Sequence, residues 1–275
     1  MNRLVAVLMA VALTVSAARA ANTIQLQIDG STASASIQLP PDISVEFSLA
    51  FEQVSGLSAQ NLGLTAGLVD PTDATLLARL PSGASIPAAF PVLIAVEPPA
   101  TGSLSFNGVV AISIHTSNLL WTPGTPLRLL AAPLGGAFVD ITSGTSAGSY
   151  RAGANKGGFS EFLVVSDLRA VDTVIAAKFD GLQSVLTRYS QIIPAGVRTT
   201  LQAQLDAARS SYVASDPHGA ADTMGTFAAT VRDHSGTEIP DLWRASRDVA
   251  DVAGELRSGA ATLRYSLLLK ANAGP

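Results

Sequence analysis

The sequence predicts an α+β protein with segregated domains, an N-terminal all-β sandwich over residues 21–166 and a C-terminal antiparallel four-helix bundle over residues 167–272. Short apolar segments that alternate with polar residues, separated by Gly and Pro, fill the first part and are typical of a sandwich or barrel. After Ser166-Asp167 the apolar period becomes about 3.6 residues, which indicates helices. Short connections between these helical segments favour an antiparallel bundle.

The first 20 residues predict a signal peptide. Arg3 gives the segment a positive start, residues 4–15 are almost entirely apolar, and Ala18-Arg19-Ala20 offers the small residues that precede a cleavage site. A retained membrane anchor is the alternative, but the apolar segment is short for a hydrocarbon layer of about 30 Å and no cationic cluster follows it. We therefore expect an exported protein, periplasmic or extracellular, without a membrane span after signal removal.

Composition narrows the classes of function. Hydrophobic residues make up 48% of the 275 residues and charged residues 14%, which is enough apolar material for a packed core and too little charge for disorder. The net charge is −4 and Lys and Arg are scattered, so no nucleic-acid partner is expected. The chain has no cysteine, which excludes a disulfide and a cysteine-linked lipid anchor.

The strands of the sandwich are predicted from alternation and turn residues. The clearest one covers residues 43–54, where Val45, Phe47, Leu49 and Phe51 point one way and the residues between them point the other. Residues 23–28 and 33–39 predict a hairpin that turns at Asp29-Gly30. Further strands are predicted at residues 90–96, 109–114, 126–132, 137–141 and 159–165.

Four helices are predicted in the back half. They cover residues 168–189, residues 197–212, a segment from Ser215-Asp216-Pro217 to Gly236, and a long segment from Leu242 to Leu267. In the last helix Arg244 with Asp248, and Arg247 with Asp251, have the four-residue spacing that stabilises a helix.

The front half resembles a known extracellular fold. The block from Phe106 to Val165 resembles the second half of a GAIN-type β-sandwich, and the residues that carry the resemblance are Val109, Ile112, Ile114, Leu127-Arg128-Leu129-Leu130, Gly135-Gly136-Ala137-Phe138 and Gly158-Phe159-Ser160-Glu161-Phe162. Some members of that family cleave themselves at His-Leu-Ser or His-Leu-Thr. Here Phe159 and Ser160 occupy the matching places and Gly158 replaces the histidine base, so self-cleavage is not expected.

The back half is similar to the FIMAH-type helical module of exported bacterial proteins. The matching residues are Val197-Arg198, Leu201, Leu205-Asp206-Ala207-Ala208, Ala220-Ala221, Phe227 and Val231. The resemblance implies an accessory role without chemistry. Together, the two halves resemble exported bacterial families that have no characterised function.

Gly144-Thr145-Ser146-Ala147-Gly148 fits the GxSxG pattern of serine hydrolases. That pattern works where a strand ends in a sharp turn and a helix starts at once. The residues after Gly148 do not form a helical pattern, and His218 and His234 belong to the helical half. We interpret the segment as a flexible Gly/Ser loop, and a secreted serine hydrolase that uses Ser146 stays an alternative.

The three histidines have no metal-ligand spacing. His115 is expected on the outer face of its strand, His218 in the first turn of a helix and His234 near a helix end.

The remaining acidic and aromatic candidates also have structural interpretations. Asp70-Pro71-Thr72-Asp73 is interpreted as a turn, and Asp248, Asp251 and Glu255 as a solvated helix face. The glycine-rich segment 153–158 lacks the ending of a phosphate loop. Trp121 and Trp243 are expected to be packing anchors.

No catalytic, cofactor-binding or metal-binding residue is therefore assigned, and no cofactor is expected. The sequence favours a non-catalytic exported protein, a binding, adhesion or cell-envelope accessory module whose partner is another envelope or extracellular protein. Besides the hydrolase, a carrier of a small ligand or lipid within the helical bundle stays open. The sequence does not indicate an oligomeric state.

Overall fold

The computed structural model describes residues 22–273, so the predicted signal peptide lies outside the described residues. The strands in this range are β1 (Thr23–Asp29), β2 (Thr32–Leu39), β3 (Ile43–Ser55), β4 (Leu64–Leu68), β5 (Ala84–Ser85), β6 (Val92–Val96), β7 (Ser105–Leu120), β8 (Leu127–Ala132), β9 (Val139–Asp140), β10 (Thr142–Ser146), β11 (Ser149–Lys156), β12 (Glu161–Asp167) and β13 (Leu242–Arg244). The helices are α1 (Ala59–Leu62), α2 (Ala74–Leu77), α3 (Val171–Arg188), α4 (Ala195–Val213), α5 (Pro217–His234) and α6 (Val252–Asn272).

Seven strands form the larger sheet, which is antiparallel throughout. Its order is β1-β2-β3-β7-β11-β10, and β13 adds to β7. The predicted hairpin is confirmed, since Asp29 pairs with Thr32 across a turn in which Gly30 has a φ of 55°. The predicted strand at 43–54 is confirmed as β3, and its inward residue Phe47 is 2% exposed.

The smaller sheet has six strands in the order β4-β6-β12-β8-β9, with β5 added to β12. One face packs on the larger sheet, where the rings of Phe47 and Phe162 lie 5.7 Å apart. The opposite face holds Leu163 and Val165 against Leu76 and other residues of the α2 region. Because β12 is buried on both faces, it shows a continuous apolar run instead of alternation.

The four long helices share a second core. Ile175 of α3, Leu205 of α4, Phe227 of α5 and Leu256 of α6 are all fully buried in it. The apolar stripes predicted for the first three helices therefore mark the buried faces of α3, α4 and α5. Within residues 22–273, none of the helices combines the length and apolar composition that a bilayer span needs.

The predicted fold class is wrong, because helices and strands are interspersed along the chain. The short helices α1 and α2 lie between strands, and β13 lies between α5 and α6. Trp243 of β13 pairs with Phe106 of β7, and their rings stack at 5.3 Å. This aromatic contact draws the segment onto the larger sheet, so the chain is not a clean sandwich followed by a four-helix bundle. The predicted domain boundary at residue 166 stays a prediction.

The fourth predicted helix begins ten residues later than expected, at Val252 instead of Leu242. Asp251 caps it, since the carboxylate accepts a hydrogen bond from the Gly254 amide at 2.7 Å. Arg247 adopts a left-handed backbone with a φ of 55°, which a helix interior does not allow. The expected pair of Arg244 and Asp248 does form at 3.2 Å, but outside any helix.

Helix α6 also attaches the helical core to both sheets. The hydroxyl of Thr262 donates to the carbonyl oxygens of Asp140 at 3.3 Å and Thr142 at 2.9 Å. Farther toward the start of the helix, the guanidinium of Arg257 forms an ion pair with Glu52 of β3 at 2.5 Å. One face of α6 therefore packs on the other long helices and another on strand ends.

Candidate functional site

The structure does not bring a base to Ser146. Ser146 ends β10 and pairs with Arg151 of β11, so the GxSxG segment lies in a strand–turn–strand hairpin and is not the flexible loop that we expected. Gly148 forms the turn with a φ of 103°. A nucleophile elbow needs a helix directly after the serine, and β11 takes its place here. Ser146 is exposed.

A different serine does contact a histidine. Nε2 of His115 lies 2.6 Å from Oγ of Ser149, on the outer face of the larger sheet. His115 thus lies on the strand face predicted for it, half-buried, with Glu46 opposite it on β3. The other two histidines lie at the two ends of α5, where His234 contacts the carboxylate of Glu238.

Most acidic candidates form turns and caps. Asp70 accepts hydrogen bonds from the amide and hydroxyl of Thr72 at 2.8 and 2.7 Å, and Asp73 caps α2 through the amide of Thr75. These contacts confirm the predicted turn. Among residues 22–273, no three Asp, Glu or His side chains come together in a group that could hold a metal ion.

Both tryptophans pack as predicted. Trp243 is 9% exposed and lies between Phe106 and Phe159, with the Phe159 ring perpendicular to it at 4.8 Å. Trp121 is half-buried and packs against the core between the sheets. Neither indole forms an open platform for a sugar ring.

A cleft of about 970 Å³ lies between the smaller sheet, α3 and α6. Ends of β6, β9 and β12 of the smaller sheet and of β11 of the larger sheet form one wall, and the two helices form the other. The cleft holds charged side chains of both signs beside apolar ones, and examples are Lys156, Lys178, Asp251, Val139 and Val185. Its size lies in the range of sites that take small molecules.

A buried ion pair lies in the wall of this cleft. Nζ of Lys178 lies 2.7 Å from a carboxylate oxygen of Asp140, and both side chains are less than a tenth exposed. Lys178 also donates to the carbonyl of Thr262 at 3.2 Å and to the hydroxyl of Ser266 at 2.8 Å. Burial still lowers the pKa of Lys178 despite the attraction of Asp140. These contacts join α3, β9 and α6, which makes the pair a structural connection.

A second buried carboxyl lies where α6 begins. Asp251 is 1% exposed, so its predicted place on a solvated helix face is wrong. One of its oxygens caps the helix and the other has no hydrogen-bond partner among the described residues. Burial raises the pKa of Asp251 to about 8, and nearby Asp241 and Glu255 act in the same direction. The carboxyl is therefore protonated at neutral pH and can donate a hydrogen bond.

Lys156 lies at the end of β11, in the glycine-rich segment considered above as a phosphate loop. Its ammonium group has no hydrogen-bond or ion-pair partner among residues 22–273, and burial lowers its pKa. The next residue, Gly157, sits against the backbone of α6. A Cβ atom there would lie 2.6 Å from atoms of Gly254 and Glu255. This close approach sets the position of Lys156 beside the first turn of α6.

The sequence contained one signal for these groups. Lys178 falls three residues after Ile175 and four before Leu182, so a charged residue interrupts an apolar stripe. A lysine on a buried helix face needs a partner, which is Asp140 here. Asp251 and Lys156 showed no such pattern, because their burial depends on segments that are distant in sequence.

The fold and the site define a two-sheet β protein with a layer of helices and a mixed-charge cleft between the two. The chain belongs to a family of unknown function, DUF6689, whose model matches residues 5–271. This family match does not show the predicted resemblance to a GAIN-type sandwich or to a FIMAH-type module. No curated protein matches the chain.

Proposed function

We propose that this chain is an exported, non-catalytic binding protein that holds a small organic ligand in the cleft between the smaller sheet, α3 and α6. The observation that carries the proposal is the cleft itself, about 970 Å³ in volume and lined by both charged and apolar side chains. A site of that size and mixed character is typical of small-molecule recognition. The ligand lies between the helices and the sheet, instead of inside a helical bundle.

Export rests on the residues before β1. The positive start, the apolar segment and Ala18-Arg19-Ala20 support a signal peptide that is removed after Ala20. The mature protein then works in the periplasm or outside the cell, in an accessory role beside another envelope or extracellular protein. Mass spectrometry of the exported chain tests this, because the expected N-terminus is Ala21 and an intact Met1 contradicts export with cleavage.

Ligand binding is tested with a variant that fills the cleft. A Cβ atom at Gly181 of α3 meets no other atom within 4 Å, and Gly181 lines the cleft. Gly181→Phe therefore adds an aromatic ring at the wall of the cleft, and its Cβ meets no backbone atom. Gly196 of α4 also has open space at its Cβ and does not line the cleft, so Gly196→Phe is the matched control.

The readout is thermal stabilisation by a library of small organic molecules, followed by native mass spectrometry of the complexes. Molecules that bind the cleft raise the melting temperature of the wild type and of Gly196→Phe but not of Gly181→Phe. A library without any molecule that meets this pattern contradicts the proposed function.

A serine hydrolase is the second candidate, and one contact favours it. Nε2 of His115 lies within hydrogen-bond distance of Ser149 Oγ, at 2.6 Å, which is the contact that a general base makes with its nucleophile. Labelling with a fluorophosphonate probe tests this candidate in wild type, Ser149→Ala and Ser146→Ala. Labelling that only Ser149→Ala abolishes supports a hydrolase centred on His115, whereas loss in Ser146→Ala alone restores the GxSxG hypothesis. An unlabelled wild type removes both.

A further inference from the structure

We propose that the cleft binds an organic monoanion, a carboxylate carried on an apolar body, and that the ammonium group of Lys156 contacts its charged end. This assignment rests on the proposed binding function and names the class of ligand for the same site.

Lys156 is a cation without a bound anion. It is half-buried, and no described residue forms a hydrogen bond or ion pair with it. The nearest acid that acts on it is Glu255, whose two oxygens already accept from Arg188 at 3.2 Å and from the hydroxyl of Tyr189 at 2.8 Å. An ammonium group that has lost water without gaining a counter-ion is destabilised. A ligand carboxylate supplies the counter-ion that Lys156 lacks.

The other cations around the cleft differ from Lys156. Lys178 is paired with Asp140 at 2.7 Å, Arg169 with Asp167 at 2.6 Å, Arg188 with Glu255 at 3.2 Å, and Arg79 with Glu161. Arg247 has no ion pair among the described residues, but it is exposed at the rim and keeps its hydration. Lys156 is therefore the position in this cleft where an incoming negative charge gains most.

Two further polar groups in the wall favour an anion over a cation. The hydroxyl oxygen of Ser258 and the second carboxyl oxygen of Asp251 are both buried without a partner in the described part of the chain. A protonated Asp251 carries no charge that repels an anion. Both oxygens lie behind the surface of the cleft, so we assign the direct contact to Lys156 alone.

The apolar part of the ligand has its own surface. Leu134 and Val139 line the cleft and are 63% and 56% exposed, which is unusual for large aliphatic side chains. Val174 and Val185 of α3 line the same cleft. An apolar body placed between these side chains removes their surface from water, which supplies affinity in proportion to the buried area.

A carboxylate fits the charge of the site better than a phosphate does. One ammonium group without a partner matches a single negative charge, and the glycine-rich segment 153–158 lacks a GK[ST] ending and is followed by β12 instead of the helix that binds a phosphate dianion. Decanoate, 1-decanol and decyl phosphate share one apolar chain and differ in the end group. They therefore separate the contribution of the charged end from that of the apolar body.

Isothermal titration calorimetry of the full mature protein with these three probes tests the assignment. Decanoate is expected to bind about ten-fold or more tightly than 1-decanol, and more tightly than decyl phosphate. Lys156→Met is expected to lose this preference while it keeps the affinity for 1-decanol. Lys156→Arg retains the charge and is expected to retain the preference. Lys270→Met is the matched control, because Lys270 pairs with Asp172 outside the cleft.

The outcomes distinguish this assignment from the proposed function. Equal binding of decanoate and 1-decanol, a preference for decyl phosphate, or a preference that survives Lys156→Met overturns the role of Lys156 while the cleft still binds ligands. Library molecules that meet the Gly181→Phe criterion but include no carboxylate also overturn it. If no molecule meets that criterion, the proposed function fails and the assignment fails with it.

Discussion

Asp251→Asn is expected to remove a loss of stability that the wild type shows as pH rises. The carboxyl of Asp251 is 1% exposed, and burial raises its pKa to about 8. In an unfolded chain this carboxyl releases its proton at about pH 3.9. Between these two values the folded state holds a proton that the unfolded chain has lost. The stability from this group is therefore fully present below the lower value and is lost as pH rises toward the upper one.

The size of this pH dependence follows from the binding of a single proton. A single proton bound only in the folded state gives a slope of about 1.4 kcal/mol per pH unit. From about pH 5 to about pH 7, the wild type is expected to lose roughly 2.7 kcal/mol through Asp251 alone. Asparagine does not titrate, and its amide oxygen still caps α6 through the Gly254 amide. The free energy of unfolding of the variant, relative to that of the wild type, is therefore expected to rise by roughly 2.7 kcal/mol from about pH 5 to about pH 7.

Urea unfolding at several pH values, followed by circular dichroism, measures this difference. Other groups titrate equally in both proteins, so the difference between variant and wild type isolates Asp251. Asp248→Asn is the control, because Asp248 is exposed and has a lowered pKa, and it should show no slope in this range. A difference that stays constant within about 0.5 kcal/mol refutes the reasoning, because Asp251 then ionises like an exposed carboxyl.

The remaining predictions concern packing around the cleft. Lys178→Met leaves Asp140 buried without its partner and is expected to cost about 3–5 kcal/mol in urea unfolding, most of which Asp140→Val in the same chain restores. Gly157→Ala places a Cβ atom 2.6 Å from the backbone of α6 and is expected to cost about 1–3 kcal/mol, whereas Gly144→Ala has open space and stays within about 0.5 kcal/mol of the wild type. Trp243→Ala removes the ring that stacks on Phe106 and meets Phe159 edge to face, and is expected to cost about 3–5 kcal/mol and to weaken the near-ultraviolet dichroism.

Three results contradict these expectations. A double variant of Lys178 and Asp140 that is no more stable than Lys178→Met alone shows that the pair is not the source of the loss. Equal effects of the two glycine substitutions show that α6 does not approach Gly157 closely. A Trp243→Ala protein with unchanged stability shows that β13 does not hold the helical segment to the sheet.

Local patterns were enough to predict many elements. The hairpin of β1 and β2 follows from two alternating segments and a turn at Asp29-Gly30, all within 17 residues of one another. Helix α4 follows from an apolar stripe that begins at Val197 and passes through Leu201 and Leu205. In such elements the residues that decide the structure are neighbours in sequence, so periodicity alone identifies them.

Elements that depend on distant partners were missed. β11 was not predicted as a strand, because small residues such as Ala152 and Ala154 carry little apolar signal. They are nevertheless buried, because β11 pairs with β7, about 40 residues earlier, where Tyr150 lies opposite Thr116. The predicted start of the last helix failed for the same reason, since Trp243 packs on Phe106 of β7 and on Phe159, which lies between β11 and β12.

The sequence by itself determined the β-rich front half, the helical periods of the back half and the absence of cysteine, because these depend on composition and on the spacing of neighbouring residues. Only the tertiary structure decided that β13 joins the larger sheet and that Lys156, Lys178 with Asp140, and Asp251 surround one cleft. Burial and charge pairing between these residues arise from contacts across about 100 positions of the chain, such as that of Asp140 with Thr262. Periodicity carries no information about contacts of that kind, because it reports only which face of an element avoids water.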